Sequence, residues 1–104
     1  MITLKAYQEW RLHRSRYPGQ GEFKGLIYCG LALSNEAGEA AGEIKKAWRD
    51  DFEGLTDSRC EKLILELGDT FWYFCAMMDE LGITLEQVMQ ANMDKINKRE
   101  KAGE

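Results

Sequence analysis

The sequence predicts an all-α fold, a bundle of four helices, on three observations. Apolar residues recur at steps of three and four, no stretch of useful length alternates as a strand does, and the one proline sits in a Tyr-Pro-Gly-Gln-Gly turn that separates elements. The first helix runs from Thr3, its N-cap, to about Arg14, with Leu4, Tyr7 and Trp10 on one face. After the turn at residues 17–21 a second helix starts at Phe23 or Lys24 and continues to about Trp48, because Leu33, Ala37, Ala40, Ile44 and Ala47 form a stripe. A polar stretch, RDDFEGLTD, follows. Ser58 and Glu61 form a capping box that opens the third helix, which ends around Leu81 and Gly82. Thr84 and Gln87 form a second box, flanked by Ile83 and Val88 as a hydrophobic staple, and the fourth helix reaches about Lys98. From about residue 99 the chain is expected to fray into a charged tail. No repeat or low-complexity segment divides it, so residues 1–104 are read as a single domain.

Composition narrows the function classes. With 44% hydrophobic and 11% aromatic residues the chain has the makings of an ordered globule. A net charge of −4 offers no positive field to hold a nucleic acid backbone, so no nucleic acid partner is expected. Cys29, Cys60 and Cys75 are odd in number and widely spaced, and His13 is the one histidine, which argues against a zinc site or a disulfide framework. No apolar leader or membrane-length segment is seen, and a reduced, cytoplasmic setting without membrane association is expected.

The stretch NEAGEAAGE concentrates like charge. Glu36, Glu39 and Glu43 fall on one side of the second helix, beside the Ala37, Ala40 and Ile44 stripe. Each like-charged neighbour costs roughly 0.2 to 0.5 kcal/mol. Gly38 and Gly42 weaken the helix further, and suggest another backbone passing close by. In the third helix LELGD repeats the theme: Glu66 and Asp69 share a face, which Lys62 and Tyr73 extend by one turn on either side. The connection between the pairs is long enough for an antiparallel return, so the two pairs can face each other. Four carboxylates converging without an arginine need a neutraliser, and hard oxygen donors select magnesium or manganese. A di-iron bundle would want Glu-x-x-His, and no histidine follows residue 13.

These residues carry a resemblance. Glu36 and Glu39 in NEAGEAAGEIKKA, followed at this spacing by Glu66 and Asp69 in ELGDTFWYF, with ANMDKINKR in the last helix, resemble the MazG-like nucleotide pyrophosphohydrolases of the all-α NTP pyrophosphatase superfamily. The resemblance spans roughly residues 25–99. It implies an oligomeric α-helical enzyme that binds magnesium through Glu36, Glu39, Glu66 and Asp69 as metal ligands and catalytic groups. The implied reaction converts (deoxy)nucleoside triphosphates to monophosphate and pyrophosphate, by attack of metal-activated water at the α-phosphorus, in housecleaning or control of nucleotide pools. Glu43 is either a further ligand or a supporting base.

Independently, the absence of a Gly-x-x-x-x-Gly-Lys-Ser/Thr segment leaves phosphates to metal and to separate cations, for which Lys46 and Lys62 have the right spacing. The resemblance adds Asn92, Lys95 and Arg99 on the last helix as nucleotide contacts, and Tyr73 has the reach for sugar or base; Trp10 and Trp48 are further stacking candidates. The run FWYFCAMM, residues 71–78, is apolar all round its helix and is expected to need a partner chain, giving a homo-oligomer, dimer or tetramer. The contrasting reading is a non-catalytic acidic helical dimer that binds metal or a partner.

Overall fold

A computed structural model describes residues 1–51 and 54–103, and among these every regular element is helical. The helices are α1 (Leu4–Leu12), α2 (Phe23–Asp50), α3 (Asp57–Leu81) and α4 (Leu85–Lys101). Phe52 and Glu53 of the second connection and Glu104 of the tail lie outside the described residues.

Local chemistry sets the boundaries. Thr3 caps α1, its hydroxyl accepting from the Ala6 N–H at 3.1 Å. The opening of α3 differs from the Ser58 and Glu61 box expected. Thr56 is the cap and accepts from the Arg59 N–H at 3.2 Å, with Asp57 placed in the first turn where the helix dipole favours an acid. The box at α4 forms on both sides, the Gln87 N–H donating to the Thr84 hydroxyl at 3.2 Å and the Thr84 N–H to the Gln87 side chain at 2.8 Å. The expected fraying from residue 99 does not occur before Lys101. Lys98, Arg99 and Lys101 occupy the last turn of α4, where cations complement the carbonyl end of the helix.

The Tyr17–Gly21 turn folds back onto the start of α2. Gly19 adopts a φ of 74°, and a Cβ on Gly25 would collide with the Gly19 carbonyl, so the close approach of turn and helix requires glycine at 25. Gly38 and Gly42 behave otherwise. A Cβ at either would meet nothing, so the expected close backbone is absent there among the described residues.

α2 and α3 form the extensive interface of the fold, an antiparallel hairpin. Its buried apolar side chains are mostly small, Cys29, Ala40 and Ala47 from α2 with Cys75 and Ala76 from α3, and Met78 is the larger one. The packed face of α2 is rotated from the stripe expected, for Ala37 and Ile44 are exposed while Glu43 is buried and Glu36 half-buried. Glu36 and Glu43 therefore stand within the face that meets α3, while Glu39 stays exposed at its border.

The FWYFCAMM run is partly covered within the chain, with Phe71, Trp72, Tyr73, Phe74 and Met77 half-buried. α1 lies over part of it, with Tyr7 against Phe71 at 5.5 Å and Trp10 edge-on to Trp72 at 5.9 Å, and no residue of 71–78 is exposed. Arg11, fully buried, fastens α1 by donating to Asp79 at 2.7 Å and to Gln8 at 2.9 and 3.0 Å. Glu80 fastens the turn, accepting from the Tyr17 hydroxyl at 2.6 Å and from the Gly21 N–H. The exposed apolar surface lies elsewhere: Phe23, Ile27 and Leu31 along α2, Ile64, Leu65 and Leu67 on α3, and Met89, Met93 and Ile96 on α4. No helix among the described residues is long and apolar enough to cross a membrane.

Candidate active site

Helical spacing brings Glu36 and Glu39 together on α2, and the hairpin sets Glu66 of α3 opposite them. One oxygen from each lies within 4.8 Å of the others. Asp69, one turn beyond Glu66, borders the same place: with Glu36, Trp72 and Tyr73 it lines a cavity of about 240 Å³. None of these four carboxylates has an ion pair among the described residues.

The electrostatic consequence falls on two of them. Desolvation pushes the Glu36 carboxyl above the usual range, and the charges of Glu39 and Asp69 push it further. Glu66 is raised by desolvation first, then by Glu39, Asp69 and Glu36. One oxygen of Glu36 and one of Glu66 are buried without a hydrogen-bond partner. Orphaned, mutually repelling carboxylate oxygens that gather from two helices without any sulfur or nitrogen ligand fit a hard divalent cation such as magnesium or manganese.

Glu43 faces a different environment. Its carboxylate is 3.6 Å from Arg59 and 3.5 Å from Lys46, and it stands outside the group formed by Glu36, Glu39 and Glu66. Arg59 also reaches Asp51 at 3.0 Å and Asp50 at 3.7 Å, binding the end of α2 to the start of α3. Lys46 is thus engaged by Glu43. Lys62 is exposed, with no polar contact among the described residues, and Asn92, Lys95 and Arg99 stand exposed on α4 without a side-chain hydrogen bond to the carboxylates. Tyr73 does reach the cavity, its ring edge-on to Tyr28 at 6.2 Å and its hydroxyl raised in pKa by burial and then by Tyr28 and Glu36. Trp48 is exposed and lines another depression with Arg49, Asp50 and Asp51.

Two residues of the site and its frame escaped the sequence reading. Arg59 left one signal, a cation in the first turn of α3 following the Asp50 and Asp51 pair. Trp72 left none, because within FWYFCAMM it looks like any other core aromatic.

Comparison with known proteins gives this geometry a context. Residues 28–103 match the MazG nucleotide pyrophosphohydrolase domain, which covers both acidic pairs, the cavity and α4. The chain is similar to the Gene 37 protein of Mycobacterium phage L5, 37% identical over 90 residues, covering 84% of this chain and 79% of the relative. It is also similar to the protein YvdC of Bacillus subtilis (strain 168), 32% identical over 103 residues and covering 94% of this chain and 96% of that one. Neither name states an activity, and no solved structure gives a significant match. With all four acids inside the matched segment of an all-helical fold, the chain belongs to the MazG nucleotide pyrophosphohydrolase domain family.

Proposed function

We propose that the protein hydrolyses (deoxy)nucleoside triphosphates to nucleoside monophosphate and pyrophosphate with magnesium, or manganese in its place, held by Glu36, Glu39, Glu66 and Asp69. The observation that carries this is the convergence of Glu36, Glu39 and Glu66 within 4.8 Å, with unsatisfied buried oxygens, at the edge of a cavity lined by Glu36 and Asp69, in a chain of this family. Bound there, the cation supplies neutralisation of the phosphate charge and acidifies the water that attacks the α-phosphorus. The protein's own part is placement. Burial keeps Glu36 and Glu66 from relaxing into solvent, the α2/α3 hairpin fixes the separation of the two pairs, and Tyr73 closes the cavity toward the nucleoside.

The reading includes a homo-oligomer, dimer or tetramer. Asn92, Lys95 and Arg99 contact no carboxylate of their own chain's cluster, and a second copy is the source from which such an amide donor and two cations would reach a bound triphosphate. The test is a panel of nucleoside triphosphates with magnesium, scored for pyrophosphate, with the reaction also run in heavy-oxygen water. Label in the monophosphate is expected. Diphosphate and orthophosphate as products would mean a different phosphatase chemistry, and binding of magnesium without turnover of any triphosphate would favour the non-catalytic module.

A further inference from the structure

Resting on the proposed hydrolysis, we infer that Trp72 is the platform on which the substrate's nucleobase stacks, and that α1 sets the angle of its indole through Trp10 and Arg11. Trp72 lines the cavity together with Glu36 and Asp69, and it is half-buried, so part of its ring remains available to a ligand. It stands one helical turn past Asp69, about 4.5 Å further along α3. If the carboxylates hold the cation and hence the reacting phosphates, the base must lie beyond them by the length of the sugar, toward the side where Trp72 and Tyr73 stand. Tyr73 carries a hydroxyl close enough to Glu36 to feel its charge and suits the sugar. Trp72 has the larger face and suits the base.

The indole is held in advance. Trp10 meets it edge-on at an interplanar angle of 84°, and the Arg11 guanidinium lies 6.0 Å from its ring centre. Arg11 is itself held by Asp79 and Gln8, so the indole has its neighbours in place before any ligand arrives, which lowers the ordering cost of binding. Apart from carboxylates, one phenol and the indole N–H of Trp72, the lining offers no group to read a base edge. Stacking is the recognition this lining provides.

The experiment compares a substrate with a base and a competitor without one. Replacing Trp72 by leucine (Trp72→Leu) should raise KM for a nucleoside triphosphate by roughly 5- to 140-fold, the range of base–aromatic stacking. The inhibition constant of magnesium tripolyphosphate, which has no base, should stay within about twofold, and Trp72→Phe should lose less than Trp72→Leu. In a chain carrying Trp48→Phe, which leaves Trp10 in place, titration with adenosine monophosphate should quench the tryptophan fluorescence, and adding Trp72→Phe should abolish the quench. The quench and the Trp72→Phe kinetics decide the matter even where Trp72→Leu fails to fold. A parallel rise in KM and in the tripolyphosphate constant, no change in either, or no quench overturns the assignment. Failure of the wild type to hydrolyse any triphosphate would remove the proposed function instead, and the quench would still test Trp72.

Discussion

At the scale of single residues, the charge of the carboxylate cluster has opposite effects with and without a cation. Metal-free, Glu36 and Glu66 are desolvated beside Glu39 and Asp69, so removing one charge relieves repulsion. Glu39→Gln or Asp69→Asn should therefore hold or raise the melting temperature in chelator. With magnesium at a hundredfold excess over its dissociation constant, the wild type should gain roughly 2.7 kcal/mol, because only the folded chain assembles the site. Each variant should lose most of that gain together with hydrolysis. Parallel melting curves in chelator and in magnesium check this, and an intact magnesium shift with intact turnover in both variants would sink the four-carboxylate site. These acids were legible because their three-residue spacing recurs on two helices. The separation of Glu43 from them was not, since its Arg59 partner comes from the other helix and no periodicity links the two.

At the scale of elements, α1 and the following turn depend on two acids in the last turn of α3. Asp79 receives the buried Arg11, and Glu80 receives the Tyr17 hydroxyl. Periodicity located α1 and the proline placed the turn, but neither says where an element docks; that is fixed by contacts 59 to 68 residues apart in sequence. The Tyr17 phenol is raised above its usual pKa of about 10, by burial first and then by its bond to Glu80 and its nearness to Cys29. Its stabilising contribution is whole below pH 10 and diminishes as the pH climbs past that value, since the unfolded phenol ionises more readily than the folded one. Tyr17→Phe should lower unfolding free energy at pH 7 by roughly 1.5 kcal/mol, a hydrogen bond to a carboxylate, with Gly21 still partnering Glu80. The difference should shrink in urea titrations above pH 10. A constant difference between pH 8 and 11 would show that the phenol's ionisation is not linked to folding. The helix ends follow the same logic on a smaller scale: the Thr84 box was readable because both partners lie within one turn, whereas Thr56, with Arg59 three residues on, was passed over because Ser58 and Glu61 present a full box pattern two residues later.

For the whole molecule, the shape of one chain argues that a second copy covers it. The radius of gyration is 16.8 Å, where a compact chain of this length has about 13 Å. The accessible surface is 8024 Å², about 2,000 Å² more than the roughly 6,000 Å² of a compact monomer of this mass. Obligate dimers bury areas of that order, on the order of 1,000 to 2,500 Å² per partner. The sequence pointed to a partner through FWYFCAMM, and the structure moves the argument to other residues. α1 covers part of that run, while Ile27 and Leu31 on α2 and Met89, Met93 and Ile96 on α4 stay exposed in rows at helical spacing. Pattern alone could not distinguish an apolar face covered by the chain's own first helix from one left for another copy. Sedimentation at low micromolar concentration should show an oligomer and no folded monomer. Leu31→Glu and Met93→Glu, each placing a charge in one of these rows, should shift the protein toward dissociated chains that melt at lower temperature. They should also weaken nucleotide hydrolysis without altering Glu36, Glu39, Glu66 or Asp69, because dissociation would carry the partner's Asn92, Lys95 and Arg99 away from the triphosphate. A wild-type monomer that stays folded, or Leu31→Glu and Met93→Glu chains that remain assembled and fully active, would leave those α4 side chains with no route to the site and would confine catalysis to one chain.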